Sequence, residues 1–240
     1  MSLPKELQEQ SFVFRLLRAI LIRVIMPLYR PFLLIYLNNS RNFTYDKIKI
    51  KVFKGVFHPG FFFSTRLYLK FISELDIKNK TFLDLGAGSG IIGFVAEKRG
   101  AIVTSTDINP VVIKGLEFNK KQLSSTINII ESNLFEKIHS YFEIIIISPP
   151  YYPKNPINDA EKAWFCGENF EYFSNLFQQL KNQLDHGAKA FMILSQDCDI
   201  ERIQQLAIEK NLKLELKFRK RKMLEWNYIF CVSKEPRSEF

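Results

Sequence analysis

Four consecutive isoleucines, Ile144–Ile147, constrain the possible folds of this 240-residue chain more than any other segment. A strand that is apolar at every position is typically buried on both faces, as in a parallel sheet covered by helices on either side. From Lys80 onwards, strand-like segments alternate with helix-like segments, which is the order found in such proteins. We therefore predict an α/β fold with a seven-stranded, mostly parallel sheet and helices on both faces.

The expected elements follow the changes in hydrophobic period along the chain. Strands are predicted within 43–57 and at 81–85, 101–106, 127–131, 141–147 and 189–194, with a closing antiparallel pair at 212–218 and 227–232. Helices are predicted at 66–75, 91–99, 110–121, 170–184 and 200–210, the first capped by Ser64 or Thr65. This order divides the chain into an N-terminal extension, residues 1–55, and a main domain, residues 56–240.

The N-terminal extension begins with the pattern of a basic amphipathic helix. Between residues 5 and 26, Arg15, Arg18 and Arg23 share one sector of the helix, and Pro27 ends it. Such a helix can lie on a membrane surface, bind RNA phosphates, or pack on the main domain or on a second copy of the chain. A membrane-spanning helix is not expected, because arginines and prolines interrupt residues 12–37 and no run of about 20 uncharged apolar residues occurs there.

Charge and cysteine content narrow the functional classes. The net charge of +9 favours an anionic partner such as nucleic acid, an anionic membrane or an acidic protein. Cys166, Cys198 and Cys231 form no CxxC pair and have no histidine at ligand spacing, so neither a zinc site nor a disulfide framework is expected. Reduced thiols are typical of a cytoplasmic protein, and peripheral membrane contact through residues 12–37 is left open.

A glycine-rich turn follows the predicted strand 81–85. Its glycines have the spacing G-x-G-x-G and are Gly86, Gly88 and Gly90. They let the backbone approach a ligand closely, but the spacing differs from the G-x-G-x-x-G pattern that binds dinucleotides. Asp84 would repel a pyrophosphate and suits a cationic group such as the ammonium of a methionine moiety, while Asp107 can accept both ribose hydroxyls. Together they predict an S-adenosylmethionine site; a glycine turn without a ligand is the alternative.

A second turn, Ser148-Pro149-Pro150-Tyr151, follows the isoleucine run at the edge where ligands of open α/β sheets bind. An amide or aromatic amine is a poor nucleophile because its lone pair is delocalised, so acceptors for its N–H groups are needed to orient it. Ser148 Oγ and the Pro149 carbonyl are candidate acceptors, two prolines hold the geometry, and Tyr151 can stack on a planar group. The turn predicts methyl transfer to a planar amino nitrogen; a merely stiff loop is the alternative.

The glycine turn and Asp107 resemble motif I and its partner acid in class I S-adenosylmethionine-dependent methyltransferases, over about residues 56–235. The Ser-Pro-Pro-Tyr turn is similar to the Asn/Asp/Ser-Pro-Pro-Tyr/Phe/Trp motif of the amino-methyltransferases, which act on release-factor glutamine, rRNA guanine, or adenine and cytosine. The resemblance implies a Rossmann-like fold and S-adenosyl-L-methionine as cofactor. It also implies further cofactor contacts, namely Phe57, Phe62, Thr65, Ala87, Ile108, Asn133 and Leu134; for the aromatic residues a plain core role is the alternative.

Two positions depart from the family pattern. Asn133 stands where an acid near the adenine is usual, although its amide still offers a donor and an acceptor. Ser148 stands where the glutamine and rRNA enzymes carry asparagine, and serine occurs in some DNA amino-methyltransferases, so the acceptor stays open. Residues 164–168 occupy the position of a substrate-side loop, and His58 is interpreted as a turn residue rather than a catalytic base.

The sequence therefore predicts an S-adenosylmethionine-dependent N-methyltransferase whose acceptor is a base in RNA, either rRNA or tRNA. The net charge and the Pro-Pro-Tyr turn support this reading. A protein glutamine amide is the enzymatic alternative. A membrane-surface or interaction protein that retains a cofactor-binding fold is the alternative from another class.

Overall fold

The computed structural model describes residues 39–60, 63–222 and 225–235. The predicted basic helix with Arg15, Arg18 and Arg23, the rest of residues 12–37, and the predicted cofactor contact Phe62 lie outside these ranges. Within them, no helix is both long and apolar enough to cross a membrane.

A two-stranded hairpin precedes an alternating α/β domain. The hairpin consists of β1 (Arg41–Tyr45) and β2 (Ile48–Val52). The main sheet consists of β3 (Thr81–Leu85), β4 (Ile102–Asp107), β5 (Asn128–Glu131), β6 (Ile144–Ile147), β7 (Lys189–Ser195), β8 (Leu212–Lys222) and β9 (Glu225–Lys234). The helices are α1 (Phe63–Glu74), α2 (Ile91–Lys98), α3 (Pro110–Leu123), α4 (Glu171–Asp185) and α5 (Ile200–Glu209), with a 3₁₀ turn at Glu161–Ala163.

The main sheet has the strand order β5-β4-β3-β6-β7-β9-β8. Strands β3 to β7 run parallel, and β9 pairs antiparallel with both β7 and β8. The isoleucine strand β6 lies at the centre, and its side chains are at most 4% exposed. Ile144 and Ile146 face the core under α1–α3, while Ile145 and Ile147 face the core under α4 and α5. The predicted fold class, with seven mostly parallel strands between two helical layers, is confirmed.

The β1–β2 hairpin packs on the main domain, although its residues belong to the predicted N-terminal extension. Phe43, Ile50 and Val52 are buried in the core under α1–α3. The Asn119 side chain on α3 accepts a hydrogen bond from the Lys51 N–H (2.8 Å) and donates one to the Lys51 carbonyl (2.9 Å). Because one buried amide satisfies both backbone groups, the hairpin is tied to α3.

Two element boundaries differ from the sequence prediction. Helix α1 begins at Phe63, so Ser64 and Thr65 lie within its first turn; the prediction that one of them caps the helix is wrong. Strand β8 continues to Lys222, four residues beyond its predicted end, because it pairs with β9 as far as Glu225. The added part of β8 is rich in Lys and Arg and lacks the apolar pattern by which strands are recognised.

Candidate active site

The glycine turn after β3 and the end of β4 meet at the carboxyl edge of the sheet. The three glycines have positive φ angles, 76° at Gly86, 53° at Gly88 and 79° at Gly90. The N–H groups of Gly86 and Ala87 both donate to the Thr106 carbonyl, at 2.9 and 2.8 Å, which ties the turn to β4. A side chain at Gly90 would overlap Leu116 on α3, so both the backbone conformation and the close packing require glycine there.

Asp84 lies on β3 and is only 2% exposed. Its Oδ2 accepts a hydrogen bond from the Gly93 N–H in the first turn of α2, at 3.1 Å. Burial raises the pKa of Asp84 to about 7; the Gly93 bond opposes this rise and the nearby Asp107 charge adds to it. Gly93 was missed by the sequence analysis, yet a side chain there would overlap Ser105, so its glycine lets α2 approach the carboxyl group.

Asp107, at the end of β4, joins the glycine turn to the following helix. Its Oδ2 accepts from the Gly88 N–H (3.0 Å), and its Oδ1 accepts from the Asn109 N–H (2.9 Å). Burial raises the pKa of this carboxyl group, and the backbone N–H groups around it, including that of Ile108, lower it. Each carboxylate oxygen has a further lone pair, so a group held in this way can still accept two ribose hydroxyls.

The turn after β5 holds Asn133 and Leu134 at the same edge of the sheet. Leu134 is buried with a φ of 49°, and the Ser132 hydroxyl stabilises the turn by donating to the Leu134 carbonyl and accepting from the Lys137 N–H, both at 3.0 Å. Asn133 is exposed, and its Nδ2 donates to Glu136 Oε1 at 2.7 Å. This bond uses one of the two Nδ2 hydrogens, so the second N–H and Oδ1 are left for the predicted adenine contact.

The Ser148-Pro149-Pro150-Tyr151 turn after β6 lies directly beside the glycine turn. A Cβ atom placed on Gly86 would stand 3.8 Å from the Ser148 carbonyl oxygen. Ser148 is exposed, whereas Pro149 and Pro150 are buried. Strands β3, β4 and β6 thus bring the predicted cofactor residues and the predicted acceptor residues to one place.

Tyr68 on α1 supports this turn and was missed by the sequence analysis. Its hydroxyl lies 2.8 Å from the Ile147 carbonyl oxygen and 2.9 Å from the Phe191 carbonyl oxygen. The side chain is fully buried, and burial raises the pKa of Tyr68 well above its usual value, so the hydroxyl remains a donor. Strands β6 and β7 are therefore joined at the point where the acceptor turn begins.

Tyr151 is held through both its backbone and its side chain. The N–H groups of Tyr151 and Tyr152 donate to the Trp164 carbonyl, at 3.0 and 2.9 Å, so the loop at 164–168 lies against the acceptor turn. The Tyr151 ring is half-buried against the core under α4 and α5. Burial raises the pKa of its phenol well above the usual value, and an interaction with Ser64 partly offsets this rise.

The segment before α1 contributes the Phe57 side chain to the acceptor side of the site. The Phe57 ring centre lies 5.1 Å from that of Trp164, and Thr65 is half-buried in the first turn of α1. His58 is buried, its Nδ1 accepts from the Gly60 N–H at 3.2 Å, and burial lowers its pKa. The hydrogen bond within residues 58–60 agrees with the interpretation of His58 as a turn residue.

Comparison with known proteins identifies relatives that share part of this chain. The family model described as "Methyltransferase small domain" matches residues 47–230. A Methanocaldococcus jannaschii protein named for protein N5-glutamine methyltransferase activity is 36% identical over 109 residues, which are 45% of this chain and 53% of that protein. The tRNA1(Val) (adenine(37)-N6)-methyltransferase of Shewanella loihica is 29% identical over 146 residues, 56% of this chain and 60% of that protein. The chain therefore spans little more than half the length of these relatives.

A solved structure shares the fold. The T. thermophilus 16S rRNA N2 G1207 methyltransferase, solved with AdoMet and guanosine, matches with a TM-score of 0.55 at 17% identity, covering 82% of this chain and 50% of that chain. At this identity the likeness concerns the fold, and it agrees with the predicted Rossmann-like sheet. Because the family model covers most of the chain, the chain belongs to the methyltransferase small domain family.

Proposed function

We propose that the protein transfers a methyl group from S-adenosyl-L-methionine to the amino nitrogen of a base in RNA. The observation that carries the proposal is the closeness of the two turns, since a Cβ placed on Gly86 would stand 3.8 Å from the Ser148 carbonyl oxygen. An acceptor held by the Ser-Pro-Pro-Tyr turn would therefore meet a methyl donor held by the glycine turn. Membership of the methyltransferase small domain family supports methyl transfer.

The donor set around the glycine turn fits S-adenosylmethionine. The buried Asp84 carboxyl suits the ammonium of the methionine end, and Asp107 has lone pairs left for the ribose hydroxyls. Ile108, Asn133 and Leu134 would border the adenine. When bound, the cofactor supplies an electrophilic methyl group on a sulfonium centre.

The acceptor turn would orient the amino group of the substrate. Ser148 Oγ and the Pro149 carbonyl would accept its two N–H groups, which aims the nitrogen at the donor and stabilises the positive charge that develops during transfer. Tyr151 offers part of its ring for stacking on the planar acceptor. The nitrogen loses its proton readily only after methylation, so no strong base is required beforehand.

An RNA base is the preferred acceptor because the chain carries a net charge of +9 and one relative is named as a tRNA adenine-N6 methyltransferase. A protein glutamine amide is the second candidate, because the M. jannaschii relative is named for that reaction. Labelled methyl transfer into RNA, DNA and protein fractions of a strain lacking the protein separates the two. Label in an amino-methylated nucleoside is the expected result; label in protein alone would overturn the choice of RNA.

Peripheral membrane contact through residues 12–37 stays a separate prediction. Liposome cosedimentation of the full chain, compared with a chain that lacks residues 1–40, tests it. The finding that no cellular fraction accepts label, combined with liposome binding, would favour a membrane-surface protein over an enzyme.

A further inference from the structure

We infer that the basic end of the β8–β9 ribbon, residues 217–222 with Trp226, binds the phosphates of the RNA strand that carries the acceptor base. We call this surface the basic ribbon. The inference rests on the proposed function and deepens it, because it assigns the partner-binding surface beside the same site.

The basic ribbon lies at the carboxyl edge of the sheet. Strand β9 runs antiparallel to β7 with Asn227 opposite Ser195, so Glu225 and Trp226, with their partners Lys222 and Arg221 on β8, extend past β7 on the side where the acceptor turn begins. Lys222 Nζ lies 5.3 Å from the centre of the Phe63 ring at the start of α1. The Gln196 N–H, just after β7, donates to the Trp226 carbonyl at 2.9 Å, and Trp226 packs against the same core as Tyr151, so the end of the ribbon lies on the acceptor-turn side of the sheet.

Positive charge is concentrated in this part of β8. Five of the six residues from 217 to 222 are Lys or Arg, and all five are exposed. Glu215 pairs with Lys217, and Glu225 stands opposite Lys222 in the strand register. These two acids offset only part of the charge, so the ribbon keeps a strong positive potential beside the site.

Protection of a sheet edge is the other physical reason for lysines on an outer strand. Strand β8 is the edge strand of the sheet, but its first half, residues 212–216, holds only Lys213 and Glu215 as charged residues. In that half, charged residues of both signs alternate with leucines, which is enough to protect the edge and does not account for the five positive residues that follow. The concentration of these five residues next to the acceptor turn favours a binding role.

The basic ribbon also carries an aromatic platform. The Arg221 and Arg219 guanidinium groups lie 5.6 and 6.0 Å from the centre of the Trp226 ring, and Arg221 is opposite Trp226 in the register. Arginines held over an aromatic ring present planar donors to phosphate, and their guanidinium planes can stack on an unpaired base. This combination suits a looped or single RNA strand better than a lipid surface.

Salt dependence of RNA binding tests the inference, with labelled bulk bacterial tRNA as the probe and fluorescence anisotropy as the readout. The test variants are Lys220→Gln/Lys222→Gln and Arg219→Gln/Arg221→Gln. The matched control is Lys78→Gln/Lys189→Gln. It removes two exposed charges at the amino ends of the parallel strands, before β3 and at the start of β7, on the side of the sheet away from the acceptor turn. Thermal unfolding of each variant checks that the fold is kept.

We expect each ribbon variant to bind tRNA about tenfold more weakly than the wild type. The slope of log affinity against log salt concentration should also become shallower by about 1.4–1.8, because each variant removes two phosphate contacts and each contact contributes about 0.7–0.9 to the slope. The control should match the wild type, and S-adenosylmethionine affinity should be unchanged throughout. Equal losses in ribbon and control variants, or an unchanged slope, would overturn the inference. So would weaker binding to phosphatidylglycerol vesicles without weaker binding to tRNA.

The experiments can contradict the proposed RNA acceptor and the proposed RNA-binding surface independently of each other. If no methyl label enters RNA but tRNA binding still depends on the ribbon and not on the control, the proposed acceptor is wrong and the binding surface stands. If label enters RNA equally well with both ribbon variants at subsaturating RNA, the acceptor stands and the binding surface is wrong.

Discussion

The hydroxyl group of Tyr68 donates to the carbonyl oxygen of Ile147 across 2.8 Å, one residue before the acceptor turn. Tyr68 lies on the same helix as Ser64, which interacts with the Tyr151 phenol. Helix α1 is therefore connected to both ends of the Ser148–Tyr151 segment. Tyr68 acts here as a positioning residue, because it fixes the strand end from which the turn projects.

Replacing Tyr68 by phenylalanine keeps the ring and removes this donor. We expect the free energy of unfolding to fall by about 1–2 kcal/mol, the usual cost of a buried hydrogen bond whose partner is lost. The acceptor turn should also be held less precisely. Because small displacements of a positioning group lower the rate strongly, kcat should fall about tenfold, while cofactor affinity stays unchanged. The control is Tyr141→Phe, which alters an exposed tyrosine. A wild-type kcat in Tyr68→Phe would limit Tyr68 to a structural role.

Asp107→Ala should weaken S-adenosylmethionine binding at least tenfold. The change removes both carboxylate oxygens proposed to accept the ribose hydroxyls, and hydrogen bonds to a charged group contribute about 1.5–3 kcal/mol each. Calorimetry measures the affinity, and Glu117→Ala, an exposed acid on α3, controls for loss of a negative charge. Equal affinity in Asp107→Ala and the wild type would remove Asp107 from the site.

Cofactor affinity should depend on pH through Asp84. Its pKa of about 7 in the folded protein means that the carboxyl is protonated below neutrality, whereas an ammonium partner favours the ionised form. Binding should therefore release a proton below pH 7, and affinity should fall as the pH is lowered from 7 to 5, by up to about tenfold per unit. Calorimetry in buffers of different ionisation enthalpy measures the release, which should disappear in Asp84→Asn.

The Asp84 carboxyl group should lower the stability of the protein as the pH rises, whereas it should raise the cofactor affinity. Between its ordinary pKa of 3.8 and its folded value of about 7, the folded state binds more protons than the unfolded state. The contribution of Asp84 to the free energy of unfolding therefore falls as the pH rises from about 4 to about 7. Chemical denaturation across this range should show a smaller decline in Asp84→Asn than in the wild type.

Ser148→Ala should separate catalysis from cofactor binding. The side chain is a proposed acceptor for the substrate amino group, and loss of one positioned polar group typically lowers the rate by about 10²–10³. Cofactor affinity should hardly change, because it is the Ser148 carbonyl that lies nearest a Cβ placed on Gly86, and the substitution leaves this carbonyl in place. Ser140→Ala, in an exposed loop position, is the control. Full activity of the Ser148 variant would make the turn merely structural.

Gly90→Ala and Gly187→Ala form a matched pair, because both glycines have positive φ angles, 79° and 86°. A Cβ at Gly187 has no neighbour within 4 Å, whereas one at Gly90 would overlap Leu116. We expect Gly187→Ala to cost about 1–2 kcal/mol from the backbone alone. Gly90→Ala should cost a further 1–3 kcal/mol, roughly, from overpacking and should also weaken cofactor binding. Equal destabilisation of the two variants, measured by chemical denaturation, would contradict the packing argument.

The sequence was sufficient for the fold class because its strongest signals are local. The isoleucine run, the glycine turn and Pro110 at the start of α3 each act within a few neighbouring residues. Periodicity therefore located most strands and helices to within a few residues. The end of β8 was missed because a basic, exposed strand segment is recognised only by its pairing with β9.

The supporting contacts of the site could not be predicted in the same way. Tyr68 is 79 residues from Ile147 in the chain, and one buried tyrosine within a helix has no distinguishing pattern. Asn133 is predicted at the adenine, and the sequence analysis did not include the bond that its amide also makes to Glu136, at 2.7 Å. The Tyr68 contact arises from tertiary packing and the Asn133 contact from the geometry of a local turn, and neither is recorded by hydrophobic periodicity.

The alternation of the isoleucines across β6 affects which amino-acid substitutions the two cores can accept. Ile144 and Ile146 contact one core while Ile145 and Ile147 contact the other, so a change of side-chain volume on one face is absorbed largely by the helices of that face. The layer of α4 and α5 can therefore drift in sequence while the layer of α1–α3 is conserved, or the reverse. A single inserted residue in this strand would exchange the two faces and disturb both cores at once.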